Sequence, residues 1–149
     1  MKREAVEVAI ELCHPDAKMP EYARRGDSGM DICAIEDVSI APGQTVIVKT
    51  GLKLAIPAGY EIQIRPRSGL SFKTPLRIPN SPGTIDSGYR DELGIIMQNS
   101  SASESYSIKK GERIAQMVLQ RVPAIQWRQV AAVTAIGEDR GGGFGSSGV

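Results

Sequence analysis

Apolar residues recur at every second position along much of this chain. In EAVEVAIEL, Val6, Val8, Ile10 and Leu12 fall on one face while Glu7 and Glu11 take the other. GLKLAIPAGYEIQIRP repeats the pattern with Leu52, Leu54 and Ile56, then with Tyr60, Ile62 and Ile64. Successive strand side chains point to opposite faces, so this alternation predicts strands with one face on a core. QTVIVKT, ELGIIMQNS, RIAQMVLQRV and AIQWRQV predict further strands, and Trp127 in the last of them is expected in the core or at an interface. Turn signals stand between the runs: APG at 41, PAG at 57, NSPG at 80, DSG at 86 and KKG at 109. The polar SSASESYS at 100–107 predicts an exposed hairpin loop. No window carries apolar residues at i, i+3, i+4 and i+7, and PEYARR at 20–25 is the best helical fragment. Many short strands at regular spacing predict an all-β sandwich, jelly roll or barrel.

The 149 residues fit one domain able to bury its own core. Lys and Arg number 18 against 17 Asp and Glu, a net charge of +1 that argues against a general nucleic-acid or membrane-surface binder. Cys13 and Cys33 lack a short metal-ligand spacing, and His14 is the one histidine, so a zinc site is not expected. Glu4, Glu7 and Glu11 interrupt the N-terminal run, which therefore does not read as a signal peptide, and no stretch reaches transmembrane length. A cytoplasmic, intracellular protein with reduced thiols is the expectation. From Gly137 the sequence changes to GEDRGGGFGSSGV, so the division expected is a domain over 1–136 and an arm over 137–149.

Five polar, glycine-marked segments interrupt the strands. In RRGDSGMDICA, Asp31 stands between Met30 and Ile32; it is either a strand-end cap or ion-pair partner, or a carboxylate for a hydrated Mg²⁺. RPRSGLSFK offers Arg65 and Arg67 on one face, a Ser68 hydroxyl and the free backbone of Gly69, which is either a surface turn or a phosphate grip. PNSPGTIDSGYRDELGI reads as a hairpin turning at DSG, and a tight mouth there can present backbone groups to a flat heterocycle. Tyr89 would pack on a sugar, and Asp86 would take a proton from water. In GERIAQMVLQ, Gln116 breaks an apolar run and needs either solvent or a partner. In the arm, Phe144 can stack on a base while Arg140 grips phosphate, and the glycines allow both mobility and close backbone approach.

In this order, DSGMD, PRSGL, NSPGTIDSGYRDE, GERIAQ and RGGGFGSSG resemble the motifs of the trimeric dUTPase family, the deoxyuridine triphosphate nucleotidohydrolases. The resemblance runs from about Gly26 to Gly148. It implies a jelly-roll-like β-barrel of the β-clip type, a homotrimer with sites at subunit interfaces, and a mobile Gly-rich C-terminal arm. The implied reaction is Mg²⁺-dependent hydrolysis of dUTP to dUMP and pyrophosphate, which keeps uracil out of DNA and supplies dUMP for thymidylate synthesis. By motif, Asp86 would deprotonate the water attacking the α-phosphorus, Gln116 would help position it, and Asp31 would hold the metal through water. Arg67, Ser68 and Gly69 would bind phosphates; Asn80 and the main chain of Thr84, Ile85 and Gly94 would read uracil; Tyr89 would sit under the deoxyribose. Arg140, Phe144, Gly145, Ser146 and Ser147 would come from another subunit's arm. Asp91 departs from the family's usual glycine. A dCTP deaminase of related fold, and a catalytically silent nucleotide-binding module, are the two rival readings.

Overall fold

A computed structural model describes residues 3–145 and residue 148. Its strands are β1 (Ala9–Leu12), β2 (Met30–Cys33), β3 (Val38–Ile40), β4 (Thr45–Lys49), β5 (Leu52–Ala55), β6 (Tyr60–Arg65), β7 (Leu76–Arg77), β8 (Gly83–Ile85), β9 (Gly94–Asn99), β10 (Tyr106–Ile108) and β11 (Arg113–Arg121). One helical turn, α1 (Ser68–Lys73), follows β6, and a 3-10 turn spans Val133–Ala135. The strands form a four-stranded sheet β2-β11-β6-β8, a three-stranded sheet β4-β9-β7, and the pairs β1-β5 and β10-β3, all antiparallel. The all-β expectation holds at that level.

Alternation builds the core. Ile95, Met97 and Asn99 of β9 point inward, as do Ile62 and Ile64 of β6, and they meet Ile32, Ile40, Val48, Leu52, Leu76, Ile108 and Ile114 in one buried cluster. Thr50 and Asn99 are the polar exceptions among the described residues, and Thr50 Oγ1 donates to Leu93 O at 2.6 Å. Asn99 is fully buried and satisfied: Nδ2 donates to Ile40 O (3.0 Å) and Glu104 O (2.8 Å), and Oδ1 accepts from Ser101 N (3.0 Å). The residues after it are mostly exposed, but they do not turn a hairpin. β9 pairs with β4 and β7 while β10 pairs with β3, so the segment crosses between sheets and Asn99 anchors it.

Helix is sparse, as the missing helical periodicity predicts: PEYARR forms none, and the one six-residue α-helical turn among the described residues falls in SGLSFK, after Pro66. Two other expectations are corrected. The DSG segment does not close a hairpin, because β8 pairs with β6 and β9 with β4 and β7. AIQWRQV forms no strand within the chain, and Trp127 is 86% exposed, so it has no place in this protomer's core.

Candidate active site

A β-bulge assembles the first half of the site. β11 pairs with β2 through Arg113↔Cys33, then Ala115↔Ile32 and Gln116↔Asp31, so Ile114 is one residue extra on the β11 side. Side chains alternate along a strand, so the extra residue moves Gln116 to the face that carries Asp31. Without it, Asp31 would face Ala115. On the other side Gln116 pairs with Arg65 at the end of β6, from which the chain turns through Pro66 toward Arg67.

Arg67 then reaches back. Its Nε donates to Asp31 Oδ1 at 2.8 Å and its Nη1 to Arg113 O at 3.3 Å, while Arg113 Nη1 lies 3.5 Å from Asp31 Oδ2. Asp31 is therefore an ion-pair partner of two arginines. Gln116 Nε2 donates to Pro66 O at 2.9 Å. Ala23, Asp27, Ser28, Gly29, Asp31 and Gln116 line a pocket of about 220 Å³ beside this cluster. Ser68 and Gly69 stand exposed at the start of α1, and a β-carbon on Gly69 would touch nothing. Arg65 takes no part: strand geometry ends with it, and its guanidinium is spent on Gln63 Oε1 at 2.8 and 3.1 Å.

The second half is the segment 80–94. β8 lies along β6 with Gly83↔Ile64, Thr84↔Gln63 and Ile85↔Ile62, and Asn80 folds over Gly83, where a β-carbon would approach Asn80 Nδ2 to 3.3 Å. Thr84 and Asp86 are exposed, Ile85 half-buried. Tyr89 N donates to Asp86 O (3.1 Å), Tyr89 OH to Glu92 O (3.0 Å), and Gly51 N to Glu92 Oε1 (2.9 Å), which together brace the loop. Gly94 opens β9 in a different sheet, and its missing side chain makes room for Ile47, whose Cγ2 a β-carbon would meet at 2.5 Å. Asp91 is exposed.

Within one chain Asp86 stands apart from the Arg67–Gln116 cluster. Asp86 follows Ile85 and so lies at the level of Glu61, whereas Gln116 and Arg67 lie at or beyond Arg65. That span of β6 is about 13 Å at ~3.3 Å per residue. The arm is a third piece: Arg140 is exposed and Phe144 fully so, Phe144 adopts φ 48°, and Gly145 φ 88°. Ser146 and Ser147 lie outside the described residues.

Two contributors were not singled out from sequence, Arg113 and Gly29. Each stands inside a quoted motif, but its partner is set by the bulge. As for a metal, the described residues hold no cluster of three or more His, Cys, Asp or Glu. The donor set does fit Mg²⁺ carried by a polyphosphate, since that ion commonly keeps several waters and takes one or two carboxylates plus substrate phosphates. No helix among the described residues is long and apolar enough to cross a membrane.

The dUTPase family model matches residues 15–148. A deoxyuridine 5'-triphosphate nucleotidohydrolase of Solibacter usitatus is 46% identical over 146 residues, covering 96% of this chain and 97% of that protein. One from a Picosynechococcus strain is 49% identical over 136 residues, covering 91% and 94%. The structure is similar to that of the Staphylococcus bacteriophage 80alpha dUTPase with dUpNHpp, at a TM-score of 0.88 and 33% identity over 97% of this chain and 100% of that one. A variant dUTPase from phage phi11 of S. aureus, described with a structural Mg(II) ion, matches at a TM-score of 0.79 and 28% identity, covering 85% of this chain and 98% of that one.

Proposed function

Because this chain belongs to the dUTPase family, we propose that it hydrolyses dUTP to dUMP and pyrophosphate by attack of water on the α-phosphorus. The observation that carries the reading is the Asp31–Arg67–Gln116 cluster, gathered from three distant segments beside an exposed Ser68–Gly69 turn. Arg67, Ser68 and the backbone of Gly69 bind phosphate oxygens, and the guanidinium, oriented by Asp31, faces charge that shifts during the reaction. Gln116 positions the attacking water, and Asp86 accepts its proton. Asp31 would hold Mg²⁺ through water, and the ion when bound would neutralise charge on the triphosphate.

Specificity follows from crowding and from unpaired groups. Asn80 and the main chain of Thr84, Ile85 and Gly94 read uracil. A thymine methyl has no room against a closed mouth, and the cytosine amino group meets a backbone N–H that needs an acceptor. Tyr89 against C2′ leaves no space for a ribose hydroxyl. The arm, residues 137–149, brings Arg140, Phe144, Gly145, Ser146 and Ser147 over the bound nucleotide.

The enzyme works as a homotrimer of jelly-roll-like, β-clip subunits with sites between them. In support, Asp86 and the Arg67–Gln116 cluster of one chain sit at opposite ends of β6. Ile125 and Trp127 are 71% and 86% exposed, apolar surface that an isolated protomer leaves in water. Nucleoside triphosphates belong to the intracellular pool, so the cytoplasm is the compartment of this reading.

Product analysis with Mg²⁺ and dUTP, dCTP, dTTP or UTP tests it. Pyrophosphate and dUMP from dUTP alone is the expected result. Ammonia from dCTP would make the protein a deaminase, and tight dUTP binding without turnover would make it a silent nucleotide-binding module.

A further inference from the structure

Gln116 is held from two sides. Its Nε2 donates to Pro66 O at 2.9 Å, and since a carbonyl oxygen only accepts, the NH₂ end of the carboxamide is fixed toward Pro66. Oε1 is thereby turned the opposite way, and Gly29 lies directly against it. A β-carbon on Gly29 would collide with Gln116 Oε1 and come within 3.2 Å of its Cδ and 3.4 Å of its Cβ. Backbone conformation does not require glycine here, because Gly29 is not among the residues with positive φ. The requirement is space. Gly29 stands at the foot of β2, two residues before Asp31, the cross-strand partner that the bulge assigns to Gln116. Both residues line the pocket beside the Asp31–Arg67 pair, so Gly29 acts on the side of Gln116 that faces the chemistry.

We infer that Gly29 is a positioning residue for the hydrolysis, whose bare α-carbon is the seat that fixes the Gln116 carboxamide. The inference rests on the reading that Gln116 orients the attacking water. An alanine at 29 gives Gln116 two ways out: to rotate off Pro66 O, or to push the strand start away from β11. Either displaces Oε1, and a displacement on the order of 1 Å in a positioning group costs about 100-fold in rate.

The test is a double-mutant cycle on the full-length chain with Mg²⁺ and dUTP, using Gly29→Ala, Gln116→Ala and the pair. Gly29→Ala is expected to lower kcat by about 10- to 100-fold while KM changes less than about 3-fold. In the Gln116→Ala background, where nothing remains to collide with, the same alanine is expected to cost less than about 2-fold. If Gly29→Ala fails to fold, the double variant still decides the matter: recovery of folding and of the Gln116→Ala rate supports the coupling. Gly29→Ala at wild-type kcat while Gln116→Ala is slow would sink this inference alone, as would an equal cost in both backgrounds. Gln116→Ala at wild-type kcat would instead remove the role of Gln116 on which it rests.

Discussion

Asp86 and Arg67 carry the most decisive single-residue tests. Replacing Asp86 by Asn keeps shape and removes the negative charge and with it the ability to accept a proton. dUTP or dUpNHpp is expected to bind the variant as before, by calorimetry, while kcat falls about 100- to 10,000-fold. An Asp86→Asn enzyme with wild-type pyrophosphate release would end the general-base assignment. Arg67→Lys keeps the charge and loses the fork: a single ammonium cannot span Asp31 Oδ1, Arg113 O and a phosphate at once. KM for dUTP is expected to rise on the order of 10-fold, and an unchanged KM would show that charge alone suffices. The sequence shows these residue types and their order, but not their partners. Asp31 read first as a cap or ion-pair member and second as a metal carboxylate, and Arg65 read as a companion of Arg67. The structure gives Asp31 to Arg67 and Arg113, and gives Arg65 to Gln63. Gly29 did not stand out because nothing in DSGMD names Gln116 as its neighbour.

At the level of elements, alternation was legible and pairing was not. Val6 to Leu12, Leu52 to Ile56 and Tyr60 to Ile64 each advertise a strand face, because burial depends only on which side a residue points to. Which strands meet depends on contacts far apart in the chain. NSPGTIDSGYRDELG has hairpin chemistry, yet β8 joins β6 and β9 joins β4 and β7. The bulge at Ile114 is likewise invisible in RIAQMVL, since an inserted apolar residue beside buried Ala115 looks like more strand. Asn99 shows how such a crossover is held. Truncation to Ala leaves the carbonyls of Ile40 and Glu104 without their donor in a buried site. The expected loss is about 1–3 kcal/mol, or roughly 3–10 °C in Tm by calorimetry, with kcat unchanged in the surviving folded protein. An Asn99→Ala variant as stable as wild type would mean that water replaces the amide.

For the whole molecule, the arm and the assembly are separable questions. Removing 137–149 deletes Phe144 and Arg140 and leaves the described core untouched. A base stacked on Phe144 is worth ~1–3 kcal/mol, so Phe144→Ala is expected to lower kcat/KM about 5- to 150-fold. The truncation should lower it further while melting at the wild-type temperature, and full activity without the arm would refute its closing role. Assembly can be read by complementation. Asp86 and Arg67 lie at opposite ends of β6 in one chain, so a site needing both at close range takes them from different subunits. Arg67→Ala and Asp86→Asn chains, each inactive alone, are co-refolded in equal amounts. Around a cyclic trimer every interface pairs Asp86 of one subunit with Arg67 of the next, and only one of the four possible ordered pairings at an interface leaves both intact. Random mixing therefore returns about a quarter of wild-type activity, because half the chains supply each good residue. Activity that stays at the level of the two separate variants would mean that both residues serve the same subunit's site, and the interface reading would fall even if dUTP remains the substrate.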